Sequence, residues 1–177
     1  MNALKGMLAA ALVLCAGPAL AAELQGRVVR VTDGDTVLVL DAAKTQHKVR
    51  LQGIDAPERK QPFSEKSKQH LSDLVFGKDV VVQWDKRDRY KRIVGKVLVA
   101  DGACAKPPCP KIVDTGLAQI EAGLAWWYRH YASEQTSEDR KSHERAEKTA
   151  REARVGVWSE KNPVAPWDFR KAKRSKR

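Results

Sequence analysis

The sequence predicts an α+β domain with a mostly β core, in which five short strands form a barrel and three helices lie around it. Three observations lead to this fold. Runs rich in Val, Leu and Ile recur five times, three of them before the first helical segment and two after it. Apolar residues at helical spacing mark three further segments. The chain has 177 residues, which is enough for one domain with its own core, and no second domain is needed.

The first 21 residues have the pattern of a secretory signal peptide. Lys5 precedes an apolar run at 7–15, and the ALA triplet at 19–21 fits a small-x-small cleavage site. The apolar run is too short to span a bilayer. We therefore expect residues 1–21 to be a signal peptide and residues 22–168 to form the domain. The protein should then be secreted or periplasmic, without stable membrane association.

The first three strands follow one another closely. Residues 23–42, ELQGRVVRVTDGDTVLVLDA, read as two β-runs around Asp33 and Gly34, which form a hairpin-type turn signal. The third strand is QHKVRLQGID at 46–55, where Gly53 marks a bulge or a close approach of another group.

A helix at 64–77 follows the third strand, with Ser64 as its N-cap and Gly77 as its C-cap. Two more strands are predicted at 79–84 and 92–100, and two more helices at 113–125 and 137–154. The last helix is highly charged and has only a narrow stripe of alanines. Five short strands with a helix inserted after the third suggest a closed barrel of the OB type.

The charge of the chain points to an anionic partner. Thirty-three Lys and Arg residues face 22 Asp and Glu residues, for a formal net charge of +11. Such a surplus fits a polyanion such as nucleic acid, although charge alone does not separate this from a solvated or membrane-facing basic surface. No amphipathic helix sets bulky apolar residues opposite lysines, which counts against a membrane. The run FRKAKRSKR at 169–177 is predicted to be a basic, disordered tail.

Cys104 and Cys109 are the two cysteines beyond the signal-like segment. Their even number, their close spacing and the exported context favour a disulfide within one loop. Zinc is a poorer interpretation, because no histidine or second cysteine pair lies nearby. The four histidines show no metal spacing, and we expect them at the surface.

Acidic and basic residues alternate around the third strand. Asp35 and Asp55 offer hard oxygen ligands, and if their strands are neighbours both carboxylates reach one point, as calcium requires. Each alone fits a turn or a strand cap, but together with nearby arginines they favour a metal site. Arg50 lies in mid-strand, which is costly without an anionic partner. That partner is either a phosphate or the carboxylate of Asp35 or Glu58, with which Arg50 would form an ion pair.

Four motifs in order carry a resemblance: DGDT after a strand, RLQGIDAPE ending the third strand, DRYKR before the fifth and GVWSE after the last helix. Together they resemble the staphylococcal nuclease (thermonuclease) family over about residues 26–160, interrupted by the cysteine loop. The resemblance implies Ca²⁺ bound by Asp35, Asp55 and the main-chain carbonyl of Ala56. It also implies that Glu58 orients or deprotonates the attacking water.

The resemblance assigns the basic and aromatic residues as well. Arg50 and Arg92 would neutralise the charge of the transition state, for which a guanidinium suits better than an ammonium. Lys91 stands where the family usually has glycine, so a positive φ there would strain the loop that carries Arg92. Four residues match candidates for contact with nucleic acid, two of them by phosphate contact and two as alternatives for base stacking, and these are Arg89, Tyr90, Tyr128 and Tyr131.

The resemblance thus implies an exported, calcium-dependent endonuclease that hydrolyses the phosphodiester bonds of DNA and RNA to 3′-phosphate products, acting as a monomer. An alternative is a non-catalytic OB-fold module that binds nucleic acid without cutting it. Such a module would be expected to lack some of the acidic or arginine residues of the proposed site. All five of these are present here, namely Asp35, Asp55, Glu58, Arg50 and Arg92. A basic domain that adheres to anionic surfaces is a third interpretation, and it leaves the five positions unexplained.

Overall fold

The computed structural model of the protein describes residues 22–104 and 107–175, so the predicted signal peptide lies outside the described residues. Within these ranges no helix is both long and apolar enough to cross a bilayer. The strands are β1 (Ala22–Asp33), β2 (Thr36–Leu40), β3 (Gln46–Leu51), β4 (Ile54–Asp55), β5 (Asp79–Arg87), β6 (Ile93–Ala100), β7 (Lys111–Asp114) and β8 (Trp126–Trp127). The α-helices are α1 (Ser64–Val75), α2 (Thr115–Glu121), α3 (Ser137–Glu152) and α4 (Pro166–Ser175), and two 3₁₀ segments cover Arg129–Glu134 and Gly156–Ser159.

Five strands close a barrel, which confirms the predicted α+β class and OB-type barrel. Their order in the sheet is β3-β2-β1-β5-β6, and β3 also pairs with β6. That last pairing is parallel and sets Val49 opposite Ile93 and Arg50 opposite Val94. The short β7 extends the sheet beyond β6, while β4 and β8 form a separate two-stranded sheet.

The core lies inside the barrel, because alternate residues of each strand point to the same side. Leu71 and Val75 of α1 and Ile120 of α2 belong to the same cluster as the barrel residues. A second cluster packs Trp126 against Trp158, with ring centroids 5.2 Å apart in an edge-to-face arrangement. The barrel residues that are buried in the first cluster include Val28, Val37, Val39, Val49, Leu51, Val80, Val82, Ile93, Val97 and Val99.

The helix ends differ in detail from the prediction. Phe63, in the left-handed region at φ 66°, is the N-cap of α1, whereas Ser64 is its first helical residue. The predicted helix at 113–125 is shorter and begins after Asp114, whose side chain accepts hydrogen bonds from two N–H groups of the first turn of α2. An aspartate in this position satisfies donors that have no partner within the helix, which is why the helix begins there.

The loop between β6 and β7 contains the predicted disulfide. Cys104 and Cys109 are bonded, with their Cα atoms 5.9 Å apart. The predicted pairing is therefore confirmed, and it holds the loop directly before β7.

The end of the chain differs from the predicted disordered tail. Residues 166–175 form helix α4, and only residues 176–177 of the basic run lie outside the described residues. Pro166 is buried at the first position of the helix, where proline is favourable. Trp167 then stacks on Tyr128, with ring centroids 5.2 Å apart and planes inclined by 10°. The C-terminal residues are thus folded back onto the rest of the domain.

Candidate active site

Arg50 joins two buried carboxylates that are distant in sequence. The register of β2 and β3 pairs Thr36 with Arg50, which brings Asp35, the residue before Thr36, within reach. Arg50 Nη1 donates to Asp35 Oδ2 at 2.7 Å, and Nη2 donates to Asp55 Oδ1 at 2.9 Å. Asp35 is 5% exposed and Asp55 is 1% exposed. The structure therefore brings both predicted metal ligands together around the predicted arginine.

Further hydrogen bonds fix the position of Asp35. Thr36 Oγ1 donates to Asp35 Oδ1 at 2.8 Å, and the N–H of Ala56 donates to Asp35 Oδ2 at 3.3 Å. The N–H of Leu51 donates to the main-chain oxygen of Asp35 at 2.8 Å. Ala56, the third predicted metal ligand, is therefore in direct contact with the first.

Burial favours a higher pKa at each carboxylate of the cluster Asp33, Asp35 and Asp55, but neighbouring charges and hydrogen bonds change the outcome at each residue. At Asp35 burial opposes ionisation, yet the Arg50 guanidinium and the hydrogen bonds of Thr36 and Ala56 hold the pKa below its ordinary value. At Asp55 burial prevails over its two guanidinium partners and raises the pKa. Burial and the adjacent charge of Asp35 raise the pKa of Asp33 to about 6. Arg50 thus favours the ionised form of Asp35, whereas Asp33 and Asp55 keep a proton to a higher pH than a free carboxyl group does.

Arg170 of α4 is a site residue that the sequence analysis missed. Its Nη2 donates to Asp55 Oδ2 at 2.7 Å, and its Nη1 donates to Glu58 Oε1 at 2.6 Å and to Asp55 Oδ1 at 3.1 Å. The guanidinium thus bridges the predicted metal ligand and the predicted general base. The available signal was the sequence PWD at 166–168, a helix start with proline first and an acidic residue in the first turn, ahead of the basic run.

The loop that carries Arg92 has a left-handed residue at the position where the family resemblance implies glycine. Lys91 has a φ of 63°, in the region that favours glycine. Asp88 organises the loop, since its Oδ1 accepts from the N–H groups of Tyr90 and Arg92 at 2.9 and 3.0 Å. Asp88 Oδ2 accepts from Arg92 Nε and Nη2, both at 2.7 Å. Arg92 is therefore held in place despite the lysine before it.

One groove of about 600 Å³ collects the predicted residues that do not bind metal. Arg92 directly precedes β6, in which Val94 is opposite Arg50, and both arginines line this groove. The predicted residues that line the groove are Arg50, Glu58, Arg89, Tyr90, Arg92, Tyr128 and Tyr131, and Trp167, Arg170 and Arg174 of α4 complete it.

The aromatic residues of the groove form a small cluster. Tyr128 stacks on Trp167 and meets Tyr131 edge to face, with centroids 5.2 Å apart in both pairs. Tyr131 is 39% exposed and Tyr90 is 70% exposed. Both candidates for base stacking thus border the groove, and Trp167 covers one face of Tyr128.

A buried polar chain lies behind the groove. Trp127 Nε1 donates to Gln135 Oε1 at 2.8 Å, and Gln135 Nε2 donates to His143 Nδ1 at 2.6 Å. His143 is 3% exposed, so the prediction that all histidines lie at the surface is wrong at this position. Gly53, at φ 74°, is tightly packed against the same glutamine, because a Cβ there would come within 2.2 Å of Gln135 Nε2. This confirms the close approach predicted at Gly53.

The donor chemistry of the site fits a hard divalent cation. Asp35 and Asp55 supply carboxylate oxygens, which are the ligands that such a cation prefers. The guanidinium groups of Arg50 and Arg170 already bind Asp55, so this carboxylate attracts positive charge. Among the residues that the structure describes, no group of three or more His, Cys, Asp and Glu side chains has the arrangement of a metal site. A cation here would therefore need main-chain or solvent oxygens besides the two aspartates.

Comparison with known proteins finds a nuclease family model and several relatives that match most of the chain. A family model described as "Staphylococcal nuclease homologue" matches residues 48–160. The chain is 40% identical to "Protein ParB" of Escherichia coli over 98% of this chain and 94% of that protein. It is 36% identical to "Micrococcal nuclease" of Shigella flexneri, over 99% of this chain and 96% of the relative. It is also 38% identical to an "Uncharacterized endonuclease" of Escherichia coli, over 88% and 91% of the two chains.

Proposed function

Because the chain belongs to the staphylococcal nuclease family, we propose that it is an exported, calcium-dependent endonuclease that hydrolyses the phosphodiester bonds of DNA and RNA and leaves 3′-phosphate ends. Family membership makes the chain a hydrolase of the nuclease class with nucleic acid as substrate. The metal, the acceptance of both nucleic acids, the product ends and the export are the parts that we propose.

The observation that carries the proposal is the cluster around Arg50. One guanidinium bonded to Asp35 and Asp55, with Glu58 close by, borders a groove lined by further arginines. An ion-pair network that served stability alone would not require an adjoining basic groove. A phosphodiesterase requires both features, namely carboxylates for a cation and cations for the phosphate.

We assign the metal ligands to Asp35, Asp55 and the main-chain carbonyl of Ala56. Calcium takes carboxylate and carbonyl oxygens, and the hydrogen bond from the Ala56 N–H to Asp35 brings the Ala56 backbone next to the first of these ligands. When bound, the cation would offset the negative charge that builds up on the phosphate during hydrolysis. Magnesium and manganese accept similar ligands, so the test below compares the three ions.

Glu58 and the two arginines carry out the remaining chemistry in this proposal. Glu58 takes a proton from the attacking water, whose oxygen bonds to phosphorus while the bond to the 5′ oxygen breaks, and the 5′ oxygen takes up a proton from solvent and leaves as a hydroxyl. The phosphate then stays on the 3′ side. Arg50 and Arg92 donate to the phosphate oxygens, where a planar guanidinium matches the geometry of two oxygens.

The rest of the groove would hold the nucleic acid. Arg89 and Tyr90 contact a neighbouring phosphate in this proposal, and the high exposure of Tyr90 supports such a role. Tyr128 or Tyr131 offers a ring face to a base. The net charge of +11 supports a polyanionic substrate, and binding should weaken steeply with salt.

Two features support the proposed location and state. The disulfide between Cys104 and Cys109 is typical of an oxidising compartment, in agreement with secretion or a periplasmic location. We propose a monomer, because a single chain supplies every residue that the proposed mechanism uses.

The direct experiment is incubation of the protein, lacking residues 1–21, with plasmid DNA and with RNA in calcium, magnesium, manganese or a chelator. We expect calcium-dependent cleavage of both substrates, with 3′-phosphate ends in the products. Absence of cleavage under every condition would contradict the nuclease proposal. If binding were retained in that case, the non-catalytic binding module would be the better account.

A further inference from the structure

We propose that Arg170 changes partners: it pairs with Asp55 and Glu58 in the metal-free protein and with a phosphate of the nucleic acid in the loaded protein. Arg170 would then be a further substrate-binding residue that also competes with the divalent cation. This inference rests on the proposed function, because both of its ligands are those of the proposed nuclease.

Arg170 occupies the oxygens that a cation needs. Its Nη2 lies 2.7 Å from Asp55 Oδ2, while Arg50 Nη2 lies 2.9 Å from Asp55 Oδ1. Both oxygens of Asp55 are thus engaged by guanidinium groups. A divalent cation at Asp55 would meet the positive charge of Arg170 at close range, and this repulsion is stronger beside a carboxylate that is 1% exposed than it would be in bulk water.

Of the two guanidinium groups at Asp55, that of Arg170 is the one that can leave. Arg50 is 19% exposed and held within strand β3 between Asp35 and Asp55. Arg170 is 35% exposed and its partner Glu58 is 39% exposed, so their ion pair faces the solvent-filled groove. A long side chain at such a position changes its rotamer without disturbing the barrel core.

Once released from Asp55 and Glu58, Arg170 can bind a phosphate of the nucleic acid in the groove. Trp167 stacks on Tyr128 and so keeps helix α4 at the groove. Arg50, Arg92 and Arg174 line the same groove, which makes it a site for phosphate groups. A guanidinium that is released from carboxylates finds in a phosphate an acceptor of the same charge sign and similar geometry. Helix α4 lies outside the residues that match the family model, so Arg170 is a feature of this chain beyond the matched pattern.

The exchange predicts opposite effects on two affinities, measured by calorimetry on the folded Arg170→Gln variant. Calcium affinity should rise about tenfold, because the competing charge is gone. In saturating calcium, the affinity for thymidine 3′-monophosphate should fall about tenfold, because one phosphate donor is lost. This nucleotide is a phosphate monoester, so it has no phosphodiester bond that the protein could hydrolyse during the measurement. The matched control is Lys171→Gln, which removes the same charge from the exposed side of α4 and should leave both affinities within about twofold.

Arg170→Lys is a second variant that keeps the charge but loses the two-nitrogen geometry, and its calcium affinity should lie between those of the wild type and Arg170→Gln. A merely structural role for Arg170 would lower the unfolding temperature without moving the two affinities in opposite directions.

Unchanged or weaker calcium binding by Arg170→Gln would overturn the exchange, as would unchanged nucleotide binding. If the wild type cleaves nucleic acid in calcium and either result occurs, the exchange alone fails. If the wild type neither binds calcium nor cleaves, the proposed function fails as well.

Discussion

Arg50 Nη2 lies 2.9 Å from Asp55 Oδ1, and this ion pair closes a site in which Asp55 is 1% exposed. The same guanidinium reaches Asp35, so one positive charge is shared between two buried negative charges. Without Arg50, Asp35 would lose its guanidinium partner and Asp55 would keep only Arg170, and a buried charge without compensation is far more costly than a lost exposed pair. The metal-free protein therefore depends on Arg50 for stability.

Replacement of Arg50 by methionine should destabilise the metal-free protein by about 3–5 kcal/mol, since Asp35 and Asp55 would then repel each other in a buried site. Urea unfolding at neutral pH in the presence of a chelator measures this loss. The exposed Arg145→Met on α3 is the matched control and should change the free energy of unfolding by about 0.5 kcal/mol or less. A similar loss in both variants would mean that Arg50 is not an essential counter-charge.

Replacement of Arg92 by lysine should lower turnover roughly a hundred-fold or more, the cost of one preorganised electrostatic donor. Lysine keeps the charge but cannot present two nitrogens to a phosphate. Single-turnover cleavage of a labelled oligonucleotide measures the effect, with Arg145→Lys as the matched control. Unchanged turnover would remove Arg92 from the mechanism.

Replacement of Lys91 by glycine should stabilise the protein by about 0.5–1 kcal/mol. The left-handed conformation at φ 63° costs a lysine roughly 1–2 kcal/mol, and the greater freedom of glycine in the unfolded chain cancels part of this gain. Thermal unfolding measures the change. Lys161→Gly, at an exposed lysine without a positive φ, should instead destabilise the protein slightly. Stabilisation by both variants would indicate that the backbone at Lys91 is not strained.

Acidification should destabilise the protein through His143. Burial lowers the pKa of His143 below 6.5, and Lys96 adds to this effect against the opposing charges of Asp114 and Asp139. Gln135 presents its amide N–H to Nδ1, because its oxygen already accepts from Trp127, so the neutral ring is the form that fits. Protonation therefore favours the unfolded chain. The contribution of His143 is complete above about pH 6.5 and is lost as the pH falls.

His143→Gln isolates this contribution, because glutamine keeps an acceptor but does not titrate. Asp33 acts in the opposite direction, since its pKa is raised to about 6 and its contribution is lost as the pH rises, but it is present in both proteins. The difference in unfolding free energy between wild type and variant should therefore shrink from pH 7 to pH 5. A constant difference over this range would show that His143 does not titrate on unfolding.

Local sequence was sufficient for the barrel and for the centre of the site. Asp55 and Glu58 follow Arg50 within eight positions, so one short segment running from β3 to just past β4 carries all three, and the valine-rich runs around them predicted strands directly. Lys91 was recognised as a residue at a glycine position because the motif DRYKR resembles a family pattern with glycine there, and the φ of 63° agrees with this.

Residues that act through tertiary packing were not predictable in the same way. Arg170 is 115 positions from Asp55 in the sequence, and it lies in a basic run that resembles a solvated tail. Its place depends on the stacking of Trp167 on Tyr128, which no local pattern indicates. His143 was assigned to the surface because the four histidines show no metal spacing, whereas in the structure it lies on the buried side of α3 together with Ala146, Glu147 and Ala150.

The most direct test of the account is the cleavage rate of Glu58→Gln in calcium, measured together with substrate binding. Loss of the general base should lower turnover by about 10²–10⁴-fold, while oligonucleotide affinity stays within about threefold. Glu144→Gln, an exposed glutamate of α3, is the matched control and should cleave at the wild-type rate. We expect calcium-dependent cleavage by the wild type and by the control, with binding but almost no cleavage by Glu58→Gln. A Glu58→Gln variant that cleaves as fast as the wild type would contradict the central claim that this site hydrolyses nucleic acid through Glu58.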